Sequence, residues 1–272
     1  MSSDSIYVHG STPPEQERLA RLNALINQSC LREIAPRSME RALDVGCGLA
    51  QFTRALARAT LAAAVGVERD PKQLAEAQRL AAAADDSHWI SLRQGEAPDL
   101  PLSDEEWGTF DLAHARFLLE HVADPAAVVR AMLRALKPGG RIVLADDDHD
   151  VLRLWPEPAG TMEVWRAYIA SYLRHGNDPH IGRKLTALIH DAGAVPVRSS
   201  WIWFGACHGH PDFALLIENM AAILRGARSS ILATGQIDDA CFARGLQGLS
   251  SLLHRPGAAL WFAICWAEGR KP

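Results

Sequence analysis

A doubly wound α/β fold follows from three features of the sequence. Apolar runs alternate with helical patterns between residues 41 and 145, a tight glycine turn closes the first run, and Lys-Pro-Gly-Gly stops the helix before the fifth. Residues 41–53 (RALDVGCGLAQFT) organise the rest. An apolar run meets Asp44, Gly46 and Gly48 follow at alternate positions, and a helical pattern starts at Ala50, Phe52 and Leu56. Glycine permits positive φ and close approach of another group to the backbone. The unpaired N–H groups of the helix start favour an anion or carboxylate, which places a cofactor site at the carboxyl end of the first strand.

The remaining elements follow in order. Thr12 is suited to cap a helix beginning at Pro13 and Pro14 and carrying Leu19, Leu22, Leu25 and Ile26 at helical spacing. Residues 62–67 read as the second strand, ending at Glu68. A carboxylate some 20 residues beyond a glycine turn is placed to accept both hydroxyls of an adenosine ribose. Asp70 precedes Pro71 and reads as the cap of the next helix, 71–84. Strands follow at 89–94, 110–115 and 141–145, with a helix from Pro125 to Leu136 between the last two. Beyond strand five, residues 155–192 read as mostly helical and 197–207 as a strand. Residues 212–253 are helical again, and 259–268 are the last strand. The organisation expected is a leader and helix over 1–40, a cofactor-binding core over 41–150, and helical lid insertions with the last two strands over 151–272.

Composition bounds the function. A chain of 272 residues, 48% of them hydrophobic, can bury a sizeable core. Its formal net charge is −4, and no run of Lys or Arg forms a nucleic-acid footprint. The 5 cysteines form no CxxC pair and no Cys/His metal spacing, so reduced thiols, a cytoplasmic location and no metal are expected. The first ten residues lack an apolar signal core, and no uninterrupted apolar run is long enough to span a membrane. A small-molecule partner is expected, with neither nucleic acid nor membrane, on a monomer or homodimer. The dinucleotide fingerprint wants a third glycine where this chain has Gln51, which weighs against a pyrophosphate cofactor.

Five ordered motifs carry a resemblance. LDVGCG (43–48), GVERDP (66–71), GEAPDLPL (95–102), FDLAHARFLLEHVADP (110–125) and LKPGGRIVLAD (136–146) occur in the order seen in class I S-adenosylmethionine-dependent methyltransferases. The chain is most similar to the small-molecule members, over roughly residues 41–150. The resemblance implies a Rossmann-like seven-stranded sheet, order 3-2-1-4-5-7-6 with strand 7 antiparallel, an N-terminal helix and helical lid insertions. It implies S-adenosyl-L-methionine as cofactor and S-adenosyl-L-homocysteine as product.

Transferred position by position, the resemblance also implies a site. Asp44, Gly46, Cys47 and Gly48 would surround the methionine moiety, with Asp44 reaching its ammonium directly or through water. Glu68 would hold the ribose and Arg69 flank the adenine. Gly95, Glu96 and Ala97 would meet the adenine edge, and Ala115 and Arg116 would line the methyl region. Tyr7 would close the site from the N-terminal side. Ala50 departs from the family, which frequently has glycine there; a methyl is expected to be tolerated on a helix start.

For catalysis, His149 stands among Asp146, Asp147, Asp148 and Asp150 just beyond strand five, where carboxylates could orient an imidazole base. The competing reading of that segment is a solvated acidic loop. Glu120-His121 is a second candidate base, with ordering of the next helix as its alternative role. The function expected is methyl transfer to an N, O, C or S atom of a small molecule. The alternatives are a cofactor-binding protein of the same fold without methylation activity, and a protein or RNA methyltransferase.

Overall fold

Residues 42–45 are buried on both faces, as a strand inside a parallel sheet must be. They form β1 (Ala42–Val45) in a computed structural model that describes residues 13–272. The leader and Tyr7 lie outside the described residues. After α1 (Pro13–Ile34) and β1, the chain continues through α2 (Gln51–Thr60), β2 (Ala64–Glu68), α3 (Pro71–Ala83) and β3 (Ile90–Gln94). Then come β4 (Phe110–Arg116), α4 (Pro125–Ala135) and β5 (Leu136–Asp147). Local chemistry sets several of these boundaries. Asp70 accepts from the Lys72 N–H at 2.8 Å with Pro71 in the first turn of α3, and Asp124 accepts from the Ala127 N–H at 2.8 Å ahead of Pro125 in α4.

The second half holds β6 (Arg153–Trp155), α5 (Thr161–Arg174), α6 (Leu185–Asp191), β7 (Val195–Cys207), α7 (Phe213–Gly226), α8 (Arg228–Leu232), α9 (Asp239–Ser251) and β8 (Ala259–Arg270). The sheet has eight strands in the order β3-β2-β1-β4-β5-β8-β6, with β7 also paired to β8. β1 to β5 pair in parallel, and β8 runs antiparallel to β5, Asp146 opposite Cys265. This is the Rossmann-like arrangement that the motifs imply, with β8 and β7 as its last two strands and β6 as an addition. β6 spans 3 residues, too few to show alternation, so the sequence reading ran past it. Strand β5 also starts earlier than the Lys-Pro-Gly-Gly stop suggests. Its pairing to β4 shifts register between Phe110 and Leu112, and Gly139 takes φ of 76° inside that irregularity.

The chain divides into two compact units. One comprises residues 27–148, 178–202 and 264–272, and its apolar core runs from Leu43, Val45 and Val67 through Phe110, Met132 and Leu144 to Ile189. The other includes residues 149–177 and 203–263, with a separate core around Val164, Trp165, Phe213, Leu224 and Leu249. No helix among the described residues is long and apolar enough to cross a membrane.

Glu106, in the loop between β3 and β4, staples the first unit. Its carboxylate accepts from both terminal nitrogens of Arg93 at 2.5 and 2.8 Å, from Arg41 at 2.7 Å and from the Ser103 N–H at 3.0 Å. The Arg93 hydrogen bonds outweigh desolvation and hold its carboxyl at about 2, below the ordinary 4.5. A depressed carboxyl stabilises the fold above its unfolded value and loses that contribution as pH falls toward the folded one. Glu106→Gln is therefore expected to be less stable than the wild type by roughly 1–2 kcal/mol at pH 6 in urea denaturation. The two curves should converge as the pH drops from about 4.5 toward about 2; a gap that stays constant across that window would contradict the staple.

Candidate functional site

The turn after β1 is built from left-handed residues. Gly46 has φ of 74° and Gly48 of 53°, the backbone freedom the glycines were expected to supply. A Cβ on Gly46 would lie 3.0 Å from Leu118 Cδ1, so space and conformation both select glycine there. The Gly46 and Cys47 N–H groups donate to the Val67 carbonyl at 2.9 and 3.0 Å, binding the turn to the end of β2. Gly66, on β2, leaves room for Cys47, because a Cβ there would come within 2.9 Å of Cys47 Sγ. Burial, with the charges of Asp44 and Glu68 behind it, pushes the Cys47 thiol well above its ordinary value. The raised thiol suits Cys47 to packing rather than to nucleophilic attack.

Two carboxylates flank this turn. Glu68 ends β2, and its oxygens accept from the Gly48 N–H and the Asp70 N–H, each at 2.9 Å. One charged group thereby fixes the glycine turn and the start of α3 together. Each oxygen retains acceptor capacity for a further donor. Asp44 lies deeper, 3% exposed. Its Oδ2 accepts from the Thr53 hydroxyl at 2.6 Å, and its Oδ1 lies 2.7 Å from His114 Nδ1. The parallel register explains the second contact, since Asp44 and His114 are partners across β1 and β4.

The other residues singled out in the sequence divide by environment. Gly95 donates its N–H to the Glu68 carbonyl at 3.1 Å, which sets the segment after β3 beside the end of β2. Ala97 is half-buried, whereas Arg69 and Glu96 are exposed. Ala115 is buried opposite Val45. Arg116 donates to Asn27 Oδ1 at 2.8 Å and to Cys30 Sγ at 3.3 Å, and its guanidinium lies 4.7 Å from the centroid of the Phe52 ring. It ties α1 and α2 to the end of β4.

The acidic stretch that ends β5 and follows it is largely buried rather than a solvated loop. Asp146, Asp148 and His149 are all buried. Asp146 accepts from the N–H groups of Leu118 at 3.2 Å and Leu119 at 2.8 Å, so it shapes the turn after β4. Burial first, then the charge of Glu120, raises its carboxyl well above the ordinary value. Asp148 accepts from Nε and Nη2 of Arg183, each at 2.6 Å. His149 belongs to the other unit, where its ring meets those of Trp165, Tyr168 and Tyr172 edge-on, with centroids 5.5, 5.5 and 5.0 Å away. Its carbonyl accepts from Trp165 Nε1 at 2.8 Å. Trp155 is 65% exposed, while Trp165 is core. Thr53 and the Asp44 contact of His114 escaped the sequence reading, because only strand register and helix phase reveal them.

The fit to an adenosyl ligand can be judged on these groups. Glu68 offers an anchored carboxylate with free lone pairs, Gly46 leaves no space for a side chain, and Asp44 offers a buried carboxylate. That acceptor set suits vicinal hydroxyls and an ammonium group, which donate.

Comparison with known proteins agrees. Residues 43–144 match the family model described as a methyltransferase domain. The chain is 30% identical over 152 residues to 27-O-demethylrifamycin SV methyltransferase of Amycolatopsis mediterranei, covering 56% of this chain and 53% of that protein. It is 35% identical over 136 residues to a ubiquinone biosynthesis O-methyltransferase of Xanthomonas oryzae pv. oryzae, covering 50% and 53%. The chain thus spans about half the length of these curated relatives. In fold it is similar to the geranyl diphosphate C-methyltransferase of Streptomyces coelicolor A3(2), with a TM-score of 0.59 at 16% identity over 96% of this chain and 84% of that one.

Ala50 is the strained position of the turn. It precedes α2 with φ of 54°, the left-handed region, rather than starting the helix as expected. Its methyl costs the turn about 1–2 kcal/mol, of which a glycine's greater unfolded entropy would offset roughly 0.5–1 kcal/mol. Ala50→Gly is expected to raise stability by up to about 1 kcal/mol in urea denaturation; a loss of stability would show that the strain is absent.

Proposed function

We propose that this protein, whose residues 43–144 carry a methyltransferase domain, transfers the methyl group of S-adenosyl-L-methionine to a small-molecule acceptor. The observation that carries the proposal is the glycine turn held between two carboxylates, with Glu68 accepting from the Gly48 N–H at 2.9 Å and Asp44 buried at the end of β1. When bound, the cofactor supplies a methyl group made electrophilic by its sulfonium.

The chain's own residues then have defined tasks. Glu68 accepts the ribose hydroxyls on the lone pairs that the backbone leaves open. Asp44 faces the ammonium of the amino-acid arm, near Gly46 and Gly48, with Cys47 packed behind them. Gly95, Glu96 and Ala97 border the adenine edge, with Arg69 on its flank. Ala115 and Arg116 border the methyl region, and the Arg116 contact with Asn27 keeps the N-terminal helix at that edge. Tyr7 is proposed to close the site. Alignment of the acceptor and exclusion of water provide most of the acceleration, because the electrophile needs no further activation.

An acceptor hydroxyl or amine must also lose a proton, and His149 is proposed to take it. Its burial among three aromatic rings supports a fixed imidazole. The acceptor is proposed to be a metabolite, in keeping with the small-molecule acceptors named for the relatives.

Two measurements test this reading. In calorimetry, the wild type should bind S-adenosylhomocysteine, and Asp44→Ala and Glu68→Ala should each lose measurable binding while retaining a cooperative thermal transition. Unchanged affinity in both variants would end the cofactor assignment. His149→Ala should retain product binding and lose at least about 100-fold in turnover with an accepted substrate; wild-type turnover would remove the base.

A further inference from the structure

The Asp44 carboxylate, assigned above to the cofactor's ammonium, is not held by the backbone as Glu68 is. Side chains hold it: the Thr53 hydroxyl at 2.6 Å on one oxygen and His114 Nδ1 at 2.7 Å from the other. His114 is 1% exposed, and its ring rests 4.6 Å, centroid to centroid, from that of Phe52. Its second nitrogen, Nε2, is buried with no hydrogen-bond partner among the described residues. That orphan decides the state of the ring. An imidazolium would bury a charged N–H without an acceptor, which costs more than a bare lone pair. The geometry thus suits a neutral ring whose single proton, on Nδ1, is directed at Asp44.

A neutral donor has a particular consequence for a carboxylate that must attract a cation. A lysine or arginine in this place would orient Asp44 and cancel its charge together. A neutral imidazole orients it and leaves the full negative charge available. Thr53 does the same on the other oxygen. Both oxygens are thus pinned, each with a lone pair still open, and the carboxylate cannot rotate away from an incoming ammonium.

From this geometry we propose that His114, assisted by Thr53, is a positioning residue for the amino-acid arm of the cofactor and determines the preference for ligands that carry that arm. The inference rests on the cofactor reading above, and two probes separate them. S-adenosylhomocysteine carries the ammonium, whereas 5′-methylthioadenosine has the same nucleoside and a thioether but no amino-acid arm. His114→Val should weaken S-adenosylhomocysteine binding about tenfold in calorimetry and leave 5′-methylthioadenosine binding unchanged. His114→Asn, which can donate an amide N–H to Asp44, should stay within about threefold of the wild type for both. Thr53→Val should show the same selective loss as His114→Val, and it decides the matter if the valine variant at position 114 does not fold.

Equal weakening of both probes in folded variants would mean that His114 and Thr53 only support the sheet, and unchanged binding of both would mean that they do nothing for the site; either result overturns the proposal. If the wild type binds neither probe, the cofactor reading itself fails and takes this inference with it.

Discussion

A carboxylate at the end of one strand holds the loop that follows its neighbour, and the geometry of the site depends on that contact. Glu68 accepts from the Gly48 N–H, while the Gly46 and Cys47 N–H groups reach back to the carbonyl of Val67, one residue before it. Three bonds from a single turn thus converge on two consecutive residues of β2. The turn can make them because its glycines sit at positive φ, where side chains are costly, and because Gly66 leaves space for Cys47. The same carboxylate accepts from Asp70, whose own side chain caps α3. Strand end, turn and the following helix are therefore set by one charged group.

The deeper carboxylate is treated differently. Asp44 is inside the sheet, and its partners are side chains brought to it by parallel register and by the first turns of α2. A buried charge with that arrangement is costly unless its oxygens are satisfied. The Thr53 hydroxyl and His114 Nδ1 meet one oxygen each. Asp146 shows the opposite solution at the end of β5. Burial and the charge of Glu120 favour its protonated form, and its role is to order the turn after β4 through Leu118 and Leu119. At the ends of β1 and β5, one acid is held by side chains and the other is pushed toward its protonated form.

Much of this was legible in the sequence because it is local. The alternation of strands and helices, the cap at Asp70, and the glycines at positive φ follow from residues within a few positions of one another. The place of Glu68 at the end of β2 was legible at longer range, because its spacing from the turn is fixed by one helix and one strand. The illegible parts depend on register or on tertiary burial. The Asp44–His114 contact needs β1 and β4 in one particular alignment, and β6 has 3 residues and no period. The acidic stretch at residues 146–150 reads as solvated by composition, and only the packing around it shows Asp146, Asp148 and His149 buried. Ala50 carries the reverse lesson. A methyl acceptable on a helix start is strained here, because the turn extends one residue further in the left-handed region than the helical pattern suggests.

The central claim is that the ends of β1 and β2 grip an adenosyl amino acid with a pair of acids. A crystal structure obtained at saturating S-adenosylhomocysteine tests it most directly. The account predicts density against the glycine turn, with the ribose hydroxyls at hydrogen-bonding distance from Glu68 and the ammonium on the side of Asp44. Ordered solvent in that place, or the nucleoside bound elsewhere on the chain, would contradict it.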